Sequence, residues 1–340
     1  MDKSKRTEIS ALGEFKLIDR ICASFQTEQK NTVKGAGDDA AVIDAGNKYL
    51  LLSNDLLLEG VHFDLTYFPL QHLGYKSVVV GISDILAMNG TPRQILIALG
   101  ISSRFSVEMI DSFYEGAHAA CKDYHVDMVG GDTSASVNGL TISITATGDV
   151  DKDKIVYRSG ANVNDLVCLS GDLGAAYMGI HLLEREKRAC NGQPNPQPKF
   201  EGYEYILRRE LKPDARIDII ERLAQNNIVP TSMIDISDGL ASEALHLCKA
   251  SNKGIRIYLN RLPIAKQTYA MAEELHSDLV VAALNGGDDY ELLFTVPLSK
   301  QAEVFAMGID VIGHVTAPDS GAMLVTPDGQ EIELRAQGWK

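Results

Sequence analysis

The sequence predicts an α/β fold of the α+β type, arranged as a two-domain subunit. Three observations carry that reading. Strand-patterned and helix-patterned segments alternate in both halves of the chain. A charged stretch, "DKDK" at 151–154, interrupts them near the middle. The length of 340 residues suits about two domains of roughly 150 residues each. The division falls at 1–150 and 151–340.

In the first half, "FKLIDRICASF" (15–25) spaces apolar residues at helical intervals. "KYLLLSND" (48–55) is a buried strand ending in polar residues. "LGYKSVVVGISDILAMNG" (73–90) is a helix that stops at Gly90, before Thr91-Pro92. "RQILIALGIS" (93–102) is a strand. Ser106 caps a helix over 106–124, with Glu108 in its first turn. "VDMVGGD" (126–132) reads as a short strand running into a loop, and "GLTISITATGDV" (139–150) alternates as a half-buried strand.

In the second half, 165–186 reads as strand, tight turn and helix. Three prolines make 191–200 a loop. Residues 214–227 are helical. "TSMIDIS" (231–237) is a strand followed by a helix over 238–251, and "GIRIYL", "YELLFTV" and "GIDVIGHV" add strands.

The formal charge of −14 disfavours a nucleic-acid backbone or an anionic membrane as partner. Cys22, Cys121, Cys168, Cys190 and Cys248 include no C-x-x-C pair and read as reduced thiols of a cytoplasmic protein. No apolar stretch follows the charged N-terminus, and no run is long enough to span a bilayer.

The chemistry lies in acids beside glycines and strand ends: Asp38 and Asp39, Asp55, Asp132, Asp235, Asp238, Asp288 and Asp289, joined by Asp84 inside an apolar helix. Any one of them is explained as a turn former; Asp238, before "GLASEALHL", reads as a helix cap. As a set they require more. A buried, unpaired carboxylate is costly and otherwise takes up a proton. Mg²⁺, a hard cation held by carboxylates together with substrate phosphates, removes that cost. The lack of a Cys/His cluster with ligand spacing argues against zinc. No P-loop and no protein-kinase motif set is present. "SGDLGAA" (170–176) is either an anion-binding turn or a plain strand–helix connection. Arg158 is either a phosphate contact or a surface arginine.

Seven motifs follow one another: "GAGDDAAV", "SNDLLLEGVHFDL", "GISDILAMNGTP", "MVGGDTS", "VYRSGAN", "IDISDGL" and "GGDDYELLFTV". In this order and spacing the chain resembles the thiamine-monophosphate kinase family, related to aminoimidazole ribonucleotide synthetase and selenophosphate synthetase. The resemblance implies an enzyme that uses ATP to phosphorylate thiamine monophosphate to thiamine diphosphate, the final step of thiamine diphosphate synthesis. It also implies several Mg²⁺ ions and a homodimer whose N-terminal domains share a β-barrel-like core.

Residue by residue, the resemblance assigns metal binding to Asp38, Asp39, Ser53, Asn54, Asp55, Asp84, Asp132, Asp235 and Asp238. It assigns ATP contacts to Tyr124, Gly131, Asp132, Arg158 and Ser237. Asp84, Arg158 and Asp235 would be the catalytic residues, and His62, Asp288 and Trp339 would hold the thiamine moiety. The chain departs from the family's habit at Asn54 (usually Thr or Ser), at Val163-Asn164 (usually Pro-Gly) and at Asp288 (commonly Glu). The acceptor, a phosphate monoester with a second pKa of about 6, is largely a dianion and needs no general base. Direct in-line transfer is therefore expected. A selenophosphate synthetase would want a reactive cysteine or selenocysteine near the N-terminus, and Cys22 lies in an amphipathic helical pattern, not in a Gly-rich loop. A nucleotide-binding protein without activity would have lost acids from these positions.

Overall fold

The computed structural model describes residues 8–192 and 197–336. Two mixed, largely antiparallel sheets organise them. Helix α1 (Glu14–Cys22) precedes β1 (Thr32–Lys34), β2 (Ala41–Asp44) and β3 (Lys48–Leu58). Then come α2 (Leu70–Ala87), β4 (Thr91–Ile101), α3 (Val107–Asp123), β5 (Asp127–Ala135) and β6 (Thr141–Asp151). The first sheet has the order β1-β2-β3-β6-β4-β5, and only β4 and β5 run parallel.

Strict alternation makes β6 two-faced. Ile142, Ile144 and Ala146 are fully buried, while the residues between them reach solvent. Helix α2 covers the buried face and is itself enclosed, because α3 packs along its other side. Two glycines allow that approach. A Cβ at Gly74 would stand 1.9 Å from the Phe113 carbonyl oxygen, and one at Gly116 would stand 1.7 Å from that of Gln71. The opposite face of the sheet is uncovered and exposes Leu52, Leu56 and Leu96.

The second half runs β7 (Leu166–Leu169), α4 (Ala175–Cys190), α5 (Glu204–Leu211), α6 (Ile217–Gln225), β8 (Ser232–Asp235), α7 (Leu240–Ser251) and β9 (Gly254–Tyr258). It continues with α8 (Lys266–Leu275), α9 (Leu279–Asn285), β10 (Leu292–Val296), α10 (Gln301–Ala306), β11 (Asp310–Thr316), β12 (Ala322–Val325) and β13 (Glu331–Glu333). The sheet order is β13-β12-β9-β11-β7-β10-β8, with only β9 and β12 parallel. Every residue of β7, β8 and β10 is buried, because the sheet is covered on both faces. Val167 and Leu293 join a cluster with Leu240, whereas Cys168 and Phe294 join one with Leu223. No helix among the described residues is long and apolar enough to cross a membrane.

The structure differs from the sequence reading in three places. The "GGD" segment does not leave the sheet: β5 stays paired with β4 through Ala135. A Cβ at Gly131 would meet the Ile97 carbonyl oxygen at 1.8 Å, so glycine serves close strand packing there. Asp238 is not the cap of α7; Gly239, at φ 118°, takes that position, and Asp238 gives its N–H to Glu243 instead. Helices α5, α8 and α9 emerge from segments that the sequence pattern left unassigned. Trp339 lies outside the described residues.

Candidate active site

Four aspartates from four elements meet between the two sheets. Asp39 precedes β2, Asp55 lies on β3, Asp84 on α2, and Asp235 closes β8. One carboxylate oxygen each from Asp39, Asp84 and Asp235 lies within 4.8 Å of the others. Asp39 is 8% and Asp235 5% exposed. The Oδ2 atoms of Asp38, Asp39 and Asp55 are buried without a hydrogen-bond partner. Alternation on β3 sends Ser53 and Asp55 toward α2, where the Ser53 hydroxyl donates to the Gly81 carbonyl at 3.2 Å.

Burial dominates the electrostatics. It pushes the Asp39 carboxyl up to about 7, against the pull of Arg158. It pushes Asp55 up to about 6, and Asp235 to about 6 against the Ser83 hydroxyl. Burial and then the charges of Asp55, Asp235 and Asp39 hold Asp84 well above its ordinary value. Buried acids packed this closely are costly to ionise unless a positive charge joins them.

One cation partly meets this need. Arg158 donates from Nε and Nη2 to Asp39 Oδ1 at 3.0 and 2.6 Å, and its backbone N–H donates to Asp38 Oδ1 at 3.0 Å. Lys34 stands 3.7 Å from Asp38 Oδ2. One guanidinium cannot balance four carboxylates. The orphaned oxygens, the short separations and the all-oxygen donor set fit a hard divalent cation. Ser83, which the sequence reading did not single out, donates to Asp235 Oδ2 at 2.5 Å. Its position immediately before Asp84 was the available signal.

Not every expected site residue converges here. Asn54 alternates to the opposite face of β3 and spends its amide on Ser143 Oγ, the Ile144 carbonyl and Thr145 Oγ1. It therefore points away from the basin. Asp132 and Gly131 sit on exposed β5, lining a cleft with Ile97, Tyr114 and Thr133. The Tyr124 hydroxyl accepts the Ala215 backbone N–H at 2.9 Å. Asp289 accepts the Gly174 N–H with both oxygens at 3.1 Å and lies 3.5 Å from Arg209. The glycine-rich turn at 170–176 thus directs that amide at Asp289, which leaves it unavailable to an anion. Glu291, paired with Arg209 and Arg216, completes a separate, internally neutralised network.

Ser237 and Asp238 lie two and three residues after Asp235, and Glu243, 2% exposed and missed in the sequence, accepts the Asp238 N–H at 2.9 Å. His62 lies on the loop after β3, its Nδ1 accepting the Leu58 N–H at 3.0 Å.

Two family models match the chain: the AIR synthase related protein N-terminal domain over residues 37–150 and its C-terminal domain over 162–326. The thiamine-monophosphate kinase of Aquifex aeolicus (strain VF5) is 34% identical over 333 residues, spanning 98% of this chain and 99% of that protein. This chain belongs to the thiamine-monophosphate kinase family. The Bacillus subtilis (strain 168) thiamine-monophosphate kinase is 32% identical, over 96% of this chain and 99% of its own. A solved structure, AaThiL complexed with AMPPCP and TMP, superposes with a TM-score of 0.83 at 33% identity, covering 97% of both chains. The hydrogenase maturation protein HypE in complex with ATP, at 16% identity and TM-score 0.67, shares the fold. For a thiamine-monophosphate kinase, an acidic basin spanning both sheets is a natural place for polyphosphate chemistry.

Proposed function

We propose that this protein is an ATP-dependent kinase that phosphorylates thiamine monophosphate to thiamine diphosphate. The observation that carries the reading is the basin of Asp39, Asp55, Asp84 and Asp235, in a chain similar almost end to end to a protein solved with AMPPCP and TMP. Asp39, Asp55, Asp84 and Asp235 would hold Mg²⁺, with Asp38 and Asp238 beside them. Bound there, the cation supplies the charge neutralisation that lets two anionic phosphates approach.

The chain's own residues do the rest. Arg158, with 23% of its side chain exposed, presents the solvent side of its guanidinium to phosphate oxygens while Asp39 fixes its orientation. Ser83 holds Asp235 in place. Ser237, at the turn before α7, contacts phosphate, and Asp132 and Gly131 on β5 face the nucleotide. His62, Asp288 and Trp339 contact the thiamine moiety. The acceptor phosphate arrives as a dianion, so no side chain has to remove a proton, and transfer is in line.

Residues 1–150 and 151–340 act as two units that meet at the basin. The uncovered sheet face bearing Leu52, Leu56 and Leu96 suits an isologous homodimer in which two such sheets form a barrel-like core. Five unpaired thiols suit the cytoplasm.

The test is product analysis with Mg²⁺-ATP. We expect ADP to appear only when thiamine monophosphate is present, in step with thiamine diphosphate. ADP release that ignores thiamine monophosphate, or no release with it, contradicts the reading.

A further inference from the structure

Lys76, near the start of α2, is 3% exposed and takes no part in the basin. Its ammonium lies 3.0 Å from Glu210 Oε1 on α5 and 3.2 Å from Asp288 Oδ2. It also stands 5.5 Å from the centre of the Phe68 ring. Phe68, 2% exposed, lies on the loop that carries His62. A single buried amine therefore ties together three segments: the His62 loop, α5, and the turn at 286–290.

That turn needs tying. Asp288 and Tyr290 both adopt left-handed backbone, at φ 57° and 51°, a conformation that non-glycine residues keep only when their surroundings impose it. Asp288 gives its N–H to the Ser237 carbonyl at 2.8 Å and accepts the Tyr290 hydroxyl at 2.9 Å on Oδ1. Among the three charged side chains, Asp288 alone reaches solvent: its side chain is 31% exposed, against 4% for Lys76 and 2% for Glu210. Burial pulls the Lys76 amine down, but Asp288 and Glu210 outweigh it and hold the amine above its usual value. Burial pushes the Glu210 carboxyl up to about 8 against the pull of Lys76. Two carboxyl groups share one ammonium, and of the two only that of Asp288 is open to solvent.

We propose that Lys76 is a positioning residue for the acceptor. It holds the partly exposed Asp288 carboxylate in place and, through Phe68, fixes the loop of His62. The assignment rests on the reading of the site as one for thiamine monophosphate. Asp84 follows Lys76 by eight residues on the same helix, about 12 Å along its axis. Helix α2 thus carries both a carboxylate of the phosphate-handling basin and the amine that holds Asp288, a carboxylate suited to a cationic ring, so one element orders groups for the phosphate and for the thiazolium of the acceptor.

The experiment compares Lys76→Met, Glu210→Gln, Asp288→Asn, the double variant Lys76→Met/Glu210→Gln and the double variant Lys76→Met/Asp288→Asn, in steady-state kinetics and thermal melting. Lys76→Met alone leaves a buried carboxylate behind, so the Lys76→Met/Glu210→Gln pair guards against simple misfolding. We expect that pair to melt close to the unmodified protein, yet to raise KM for thiamine monophosphate at least about tenfold while KM for ATP stays within about twofold. Lys76→Met should add little once Asp288 is Asn, because both changes remove one interaction. A well-folded Lys76→Met/Glu210→Gln protein with unchanged KM for thiamine monophosphate, or full additivity with Asp288→Asn, overturns the role of Lys76. Absence of thiamine-monophosphate-dependent turnover in the unmodified protein instead overturns the acceptor assignment on which it rests.

Discussion

The Ser83 hydroxyl of α2 donates to Asp235 Oδ2 of β8 at 2.5 Å, joining the first half of the chain to the second at the centre of the acidic basin. Both residues are buried, at 1% and 5% exposure, so the bond also fixes the distance between carboxylates contributed by different sheets. Removing it loosens Asp235 without removing a charge. Ser83→Ala should raise the Mg²⁺ concentration for half-maximal activity by about tenfold, the lower end for a residue that orients a metal-binding carboxylate. A titration of rate against Mg²⁺ checks this, and an unchanged midpoint refutes it.

Asp84 is central to the basin, with the charges of Asp55, Asp235 and Asp39 all acting on it. Asp84→Asn should lower kcat at least about a hundredfold, since cation placement contributes several kcal/mol of barrier lowering. Near-normal turnover at low Mg²⁺ would remove Asp84 from the machinery.

Protons and metal compete for the same oxygens. Burial pushes the Asp39 carboxyl up to about 7 from its ordinary 3.8, and those of Asp55 and Asp235 up to about 6. Between those values the folded state binds more protons than the unfolded chain. The metal-free protein is therefore stabilised as pH falls through 7 and loses that stability as pH rises. Glu210 and Asp289 are raised by burial too and act in the same direction, but away from the basin. Mg²⁺ replaces protons at the basin alone, so the rise in melting temperature on adding it should be larger at pH 8 than at pH 6.5. Scanning calorimetry in chelator and in Mg²⁺ at the two pH values measures it; equal rises would contradict the basin's electrostatics.

Gly74 holds α2 against α3 at backbone contact. Gly74→Ala should destabilise the fold by about 3 kcal/mol or more, since a Cβ there overlaps the Phe113 carbonyl and both helices must shift. The readout is a lower urea midpoint at an unchanged slope. Wild-type stability would mean that the helices do not approach so closely.

Much of the fold was legible because its signals are local. The alternation at 139–150, the Ser106 cap and the stop at Gly90 depend on neighbouring residues, and the Ser106 hydroxyl is observed accepting the Met109 N–H at 3.3 Å. The β5 extension was not legible, because "GGD" is a turn signal until β4 lies beside it. Helix α5 hides its register in charges, Arg209 and Glu210, that are satisfied only by partners such as Glu291 and Lys76, distant in sequence. At the site, acids at strand ends pointed to Asp39, Asp55 and Asp235, and a carboxylate inside an apolar helix pointed to Asp84. Asp289 carries the same local signature yet is neutralised by Arg209. Asn54 was misplaced by treating "SND" as one unit, although a strand sends its middle residue to the other face.

The central claim is that Asp39, Asp84 and Asp235 share a divalent cation. Anomalous diffraction from crystals grown with Mn²⁺ in place of Mg²⁺ tests it most directly. The account predicts an anomalous peak bonded to oxygens of all three residues, at about 2.1–2.2 Å. Crystals saturated with Mn²⁺ and the nucleotide that leave those oxygens without a peak would contradict it.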